Sequence, residues 1–248
     1  MNSLSRRALL KGGAVLGGGS LLSFSQLFGI SRIFGQEMAA DDDLQTIINL
    51  ASTAELFATT HYLAAINGAG DMGLTDEEVA YLKAAFISEQ DHYELLVSLG
   101  AEPVVTEFYV PEMLFSDKAL FAATSEVAET AFVGAYLAAV RTFSKSEETT
   151  PFAVTCAQIA AVEQTHLAIV RDMGLKLSNN TSYAQYTAFN VSSVVPTLQP
   201  FLDGSGEGFV GPVAAPSEDD IAGIRAEAEM LGYDNPGVPF AAMTEMPS

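Results

Sequence analysis

Residues 89–100 read EQDHYELLVSLG, and 74 positions later residues 163–174 read EQTHLAIVRDMG, so Glu, Gln, His and a closing Gly return at the same offsets. The chain has three histidines in 248 residues, and two of them sit in this repeated word. On a helix, residues three apart lie about 60° apart around the axis, so Glu89 with His92, and Glu163 with His166, each aim a carboxylate and an imidazole the same way. Each pair is half of a metal clamp. The same offset carries Ala54-Glu55 onto Ala128-Glu129 and HYLAAI (61–66) onto AYLAAV (135–140). Glu55 and Glu129 therefore join the set, each with a tyrosine seven residues on along the same face, Tyr62 and Tyr136. Four bare carboxylates inside a protein are costly to desolvate, and two divalent cations would cancel their charge of −4.

Other residues compete for these roles. Glu126 lies on a neighbouring part of the Glu129 face, and the repeat offset selects Glu129. His61 falls about 240° around the helix from Glu55, which predicts a surface or interface histidine and not a ligand. Tyr62 and Tyr136 read as buried aromatics with one hydrogen bond each, and contact with the carboxylates would be their route to any part in chemistry. The single cysteine, Cys156, excludes an internal disulfide and a multi-cysteine metal site, and its helical setting predicts a core position.

Four helices must position these groups. Apolar residues recur at helical spacing from Asp43 to Ile66 and stop at NGAG; Thr75-Asp76-Glu77-Glu78 is a capping box that opens a second helix running to Gly100. Ser116 or Asp117 caps a third, and Thr150-Pro151 opens a fourth that Gly174 closes. Residues 101–115, with two prolines, are expected to be extended. Fifteen extended residues reach about 50 Å and a 25-residue helix is about 37 Å long, so this connection can span the whole molecule. The result is two copies of one helical hairpin joined by a long crossover between the second and third helices.

At this point residues 43–174 resemble the ferritin-like di-iron carboxylate proteins, in which two helices each give a Glu and the other two each give Glu-x-x-His. The chain is similar in particular to exported, twin-arginine-bearing ferritin-like domain proteins. The resemblance implies an all-α, ferritin-like four-helix bundle with one long crossover and a C-terminal extension. It also implies that Glu55 and Glu129 are terminal ligands, that Glu89 and Glu163 bridge, and that His92 and His166 each cap one ion. Two Fe ions are the expected cofactors, with Mn as the alternative, since oxygen-rich ligation with two imidazoles suits either better than Zn or Cu.

Composition bounds the rest. Once Arg6, Arg7, Lys11, Arg32 and the lone acid Glu37 are set aside, residues 41–248 hold 7 basic and 30 acidic side chains, a net of −23. Such a surface repels nucleic acid and anionic lipid. The N-terminal stretch SRRALLKGGAVLGGGSLLSFSQLFGI has the layout of a targeting segment and resembles a twin-arginine export signal, which points to the periplasm or cell envelope. A retained anchor is the alternative: Gly12 to Ser31 is uncharged and nearly long enough to span, and it would be the chain's only contact with membrane. Three regions follow: 1–40 as signal or anchor, 41–175 as the bundle, and 176–248 as an extension. In the extension VSSVVPTLQPFLDG could dock on the bundle, and Ser217 caps a helix with Ile221, Ile224 and Leu231 on one side.

Two functions fit. One is an oxidoreductase whose dinuclear site meets O2 or peroxide, as in ferrous oxidation, peroxide removal or stress protection. The other is a non-catalytic envelope-associated binding module with structural or vestigial metal. Homo-oligomerisation is compatible with either. Because the twin-arginine route carries folded proteins, and a site built from four helices is complete only after folding, metal can load before export. Replacing Arg6 and Arg7 by lysine is expected to hold soluble, metal-loaded protein in the cytoplasm, as cell fractionation with elemental analysis would show; export equal to the parent's would refute the signal.

Overall fold

In the computed structural model, residues 41–233 and 236–242 are described, so the signal or anchor reading of 1–40 falls outside them. The first helical hairpin pairs α1 (Leu44–Asn67) with α3 (Asp76–Ser98), with a single turn, α2 (Ala69–Met72), between them. The second pairs α4 (Lys118–Phe143) with α5 (Thr150–Met173). These two hairpins make the most extensive helix contacts in the chain. The boundaries follow from the caps. Asp43 accepts from the Thr46 amide at 2.7 Å, Thr75 and Glu78 form a reciprocal capping box, and Asp117 accepts from the amides of Ala119 and Leu120.

The crossover from α3 to α4 is extended only in part. Its centre forms β1 (Phe108–Pro111), which pairs antiparallel with β2 (Phe209–Val213) from the extension. Phe108 and Val110 point into the core while their neighbours are partly exposed, the alternation of a strand with one buried face. This two-stranded ribbon, absent from the four-helix expectation, ties the extension to the crossover. Between them in sequence, a 3-10 turn (Val191–Val194) leads into α6 (Val195–Asp203), which buries Leu198 and Phe201. The Phe201 ring lies 5.0 Å from that of Phe57 on α1 and 5.2 Å from that of Phe209 on β2. The apolar segment expected to dock on the bundle does so.

α7 (Glu218–Met230) starts at Ser217 and packs on α3. Its buried stripe is Ile224 and Ala228, whereas Leu231 is 59% exposed. Leu231 departs from the expectation: it stands at the C-cap, past the last helical residue, and its side chain lies in solvent.

His61 also departs from expectation: it is buried, not on the surface. The crossover and the start of α4 cover its face of α1, with its ring 5.0 Å from Phe121 at 17° and 5.6 Å from Phe115. Nε2 lies 2.8 Å from the Ser125 hydroxyl. Helical spacing located the face but could not report what the crossover lays over it.

Burial in this aromatic nest lowers the His61 pKa to about 3. An unfolded histidine titrates near about 6.5, so the unfolded chain binds the extra proton between those values. The stability tied to neutral His61 is complete above that range and is lost as pH falls toward 3, by about 1.4 kcal/mol per unit. Urea unfolding at pH 7 and pH 5, under matched metal content, is expected to show the parent losing about 2 kcal/mol more than His61→Gln.

Candidate metal centre

The four carboxylates named from the repeat, Glu55, Glu89, Glu129 and Glu163, are each no more than 2% exposed and rank among the largest fully buried side chains. They come from four different helices: Glu55 from α1, Glu89 from α3, Glu129 from α4 and Glu163 from α5. His92 and His166 stand one turn beyond Glu89 and Glu163. His92 Nδ1 lies 3.4 Å from Glu89 Oε2, 3.3 Å from Glu163 Oε1 and 3.5 Å from Glu55 Oε2. His166 Nδ1 lies 2.8 Å from Glu89 Oε1 and 3.5 Å from Glu163 Oε2. Glu89 and Glu163 thus each turn one oxygen toward one histidine and the other oxygen toward the second.

Two donor groups result, Glu55, Glu89, His92 and Glu163, and Glu89, Glu129, Glu163 and His166, each with its atoms within 4.8 Å of one another. Glu89 and Glu163 belong to both. The donors also fit a cation by what they lack. Glu55 Oε2, Glu89 Oε1, Glu129 Oε2, both oxygens of Glu163 and His166 Nδ1 are buried without a hydrogen bond. The 2.8 Å approach of His166 to Glu89 does not have hydrogen-bond alignment. Buried acceptors left this way are destabilising unless something positive lies among them.

Residues 43–176 match the ferritin-like domain family, more than half of the chain. The chain belongs to the ferritin-like family. Proteins of this family usually bind metal, in keeping with the carboxylate and histidine cluster. No curated protein and no solved structure matches the chain significantly.

In this ferritin-like bundle the two tyrosines pair across the hairpins. Tyr62 on α1 donates to Glu129 on α4, and Tyr136 on α4 donates to Glu55 on α1. Glu55 and Glu129 therefore each have one oxygen fixed by a phenol and the other without a hydrogen bond. Sequence spacing placed each tyrosine on the face of the Glu in its own helix; the actual partner belongs to the other hairpin. Burial, with the Glu129 charge beside Tyr62 and the Glu55 charge beside Tyr136, raises both phenols well above their usual range, so they stay protonated. Glu126, the rival of Glu129, faces outward and pairs with Lys176.

Burial and charge pull the groups of the cluster in opposite directions. Burial, then the charges of Glu89 and Glu163, pushes Glu55 well above the carboxylate range; burial, then Glu163 and Glu89, does the same to Glu129. Burial would also raise Glu89, but the charge of His166 beside it and the hydrogen bond with His92 hold it below its usual range. Burial disfavours charge on His92 and His166, yet the surrounding carboxylates win and raise both well above an ordinary imidazole. Protons shared among carboxylates and imidazoles partly neutralise the cluster, and divalent cations can do so in their place, since metal binding displaces protons from its ligands.

One side of the centre is open. A cavity of about 410 Å3 borders His92 and is lined by Ser88 and Asp91 of α3, Thr155 and Gln158 of α5, and Tyr233 of the extension. The His92 side chain is 13% exposed, against 5% for His166. Sequence reading gave no sign of this opening, because Tyr233 and residues 236–239 reach it only through the fold of the extension.

Manganese(II) titration by calorimetry, checked by elemental analysis, is expected to give two ions per parent chain. Glu129→Gln is expected to retain one, while Glu163→Gln, which touches both donor groups, retains neither at comparable affinity. At a free metal concentration about a hundredfold above Kd, loading is expected to add about 2.7 kcal/mol to the parent's stability.

Proposed function

We propose that this ferritin-like chain holds a dinuclear Fe centre, with Mn as the alternative, that reacts with O2 or peroxide in the periplasm or cell envelope after twin-arginine export. The observation that carries the reading is the sharing of Glu89 and Glu163, each offering one oxygen to either half of the cluster. A donor set of four carboxylates and two imidazoles suits Fe or Mn. Bound as a ferrous pair, such a centre would supply the two electrons that, with two protons, take one O2 to H2O2 while both ions become ferric.

The protein's residues do the rest. Glu89 and Glu163 would hold the two ions together, and Glu55 with His92, and Glu129 with His166, would complete the two ends. Tyr62 and Tyr136 orient the terminal carboxylates, and because their hydroxyl protons are retained they keep those oxygens occupied. The aromatic and aliphatic core around α1 and α4 excludes water from most of the centre. The cavity beside His92 leaves an approach of mixed polarity, with Asp91, Thr155 and Gln158 among its walls, for a metal ion or peroxide. The strongly acidic surface of residues 41–248 favours cations over anions in that approach.

The test is anaerobic loading with two Fe(II) per chain, followed by mixing with O2 or with H2O2. Oxidation well above that of free Fe(II) is expected, and Glu163→Gln should lower its rate at least about tenfold. A loaded, folded parent that is inert to both oxidants would favour the structural role for the metals and overturn the redox reading.

A further inference from the structure

A second cavity shares no wall residue with the opening beside His92. It holds about 50 Å3 and lies between the bundle and the extension. Its floor is bundle: Phe57 on α1, and Phe132 and Tyr136 on α4. Its roof is Val191, Val194, Val195, Leu198 and Leu202 of the extension, outside the region that matches the ferritin-like family. The extension therefore builds this space, and Tyr136 places it one side chain away from the centre, because its hydroxyl binds Glu55.

The cavity is large enough for water but has nothing to hold it. A buried water occupies roughly 10–15 Å3 by the same measure and needs two to four polar partners. Among the lining side chains the polar groups are Thr53, Tyr136 and Cys156. The Thr53 hydroxyl already donates to the Asn49 carbonyl and accepts from the Val104 amide, and the Tyr136 hydroxyl is committed to Glu55. Burial pushes the Cys156 thiol up to about 12, leaving it a neutral, weakly polar group. A dry apolar space of this size takes small apolar molecules such as xenon.

We propose that this cavity binds dioxygen and delivers it past Tyr136 to the Glu55 end of the centre, while peroxide and metal ions use the opening beside His92, where Asp91, Thr155 and Gln158 offer the polar surface that the apolar cavity lacks. Its delivery role rests on the redox reading above; its character as a gas site does not. The extension thereby acts as the wall that separates an apolar oxidant from polar ones.

Two roof positions test this without touching the proposed ligands: Val194→Phe fills the space and Leu198→Ala enlarges it. Crystals of the parent and Leu198→Ala under xenon pressure are expected to show xenon between Tyr136 and α6, and those of Val194→Phe to show none. In stopped flow with Fe(II)-loaded protein of unchanged metal content, Val194→Phe should react with O2 about tenfold more slowly, within the range over which association rates vary among variants of one site. Its reaction with H2O2 should match the parent's. The absence of xenon in the parent would overturn the site. Unchanged O2 kinetics in Val194→Phe, or equal slowing with both oxidants, would overturn delivery. A parent that reacts with peroxide but not with O2 also overturns delivery and leaves the redox reading standing, whereas a parent inert to both overturns that reading while xenon alone decides the gas site.

Discussion

Four carboxylates held in the centre of an apolar bundle are the constraint to which the rest of the molecule answers. Each ionised group withdrawn from water costs several kcal/mol unless charge of opposite sign lies within a few ångströms. Hydrophobic packing cannot supply that charge, so the helices must deliver imidazoles, phenols and room for cations to one point. Glu55, Glu89, Glu129 and Glu163 reach it because four helices, one for each carboxylate, run side by side there. Each carboxylate has at least one oxygen without a hydrogen bond, so the site is arranged around something the protein itself does not provide.

The two hairpins are near copies in sequence, and in space they complete one another. Glu55 is oriented by Tyr136 of the second hairpin, and Glu129 by Tyr62 of the first. Glu89 and Glu163 likewise face histidines from both. Each hairpin holds some of its own carboxylates against its own histidine, but the phenol contacts and the full donor groups form only when the two hairpins meet. The crossover makes this association possible by carrying the chain from the end of α3 to the start of α4, and its Phe115 helps bury His61 on the way.

The extension adds a second layer to this design. Paired through β2 with the crossover and anchored by Phe201 against Phe57, it covers part of α1 and α4 without filling the space beneath. Its later part, with Tyr233 bonded to Asp91, borders the opening at His92. A bundle without it would leave Phe132 and Tyr136 under solvent or a partner; here they stay dry within a single chain. Arg141 secures the junction, binding the Phe189 carbonyl, the Asn190 side chain and Asp41 at once.

What the sequence determined by itself is whatever depends on local periodicity and on the internal repeat. Cap residues set the helix starts, because a side-chain oxygen meets the amide two or three residues on whatever the rest of the fold does. The 74-residue offset picked Glu129 over Glu126, since two copies of one hairpin keep equivalent residues on equivalent faces. The tertiary structure alone decided what depends on which segments, distant in sequence, come to lie together. It crossed the tyrosine pairs between hairpins, buried His61 under the crossover and formed the β1–β2 ribbon. It also left Leu231 in solvent and set two separate cavities beside one centre, one almost wholly apolar and one of mixed lining. Periodicity assigns a residue to a face; only the packing of the whole chain determines what that face meets.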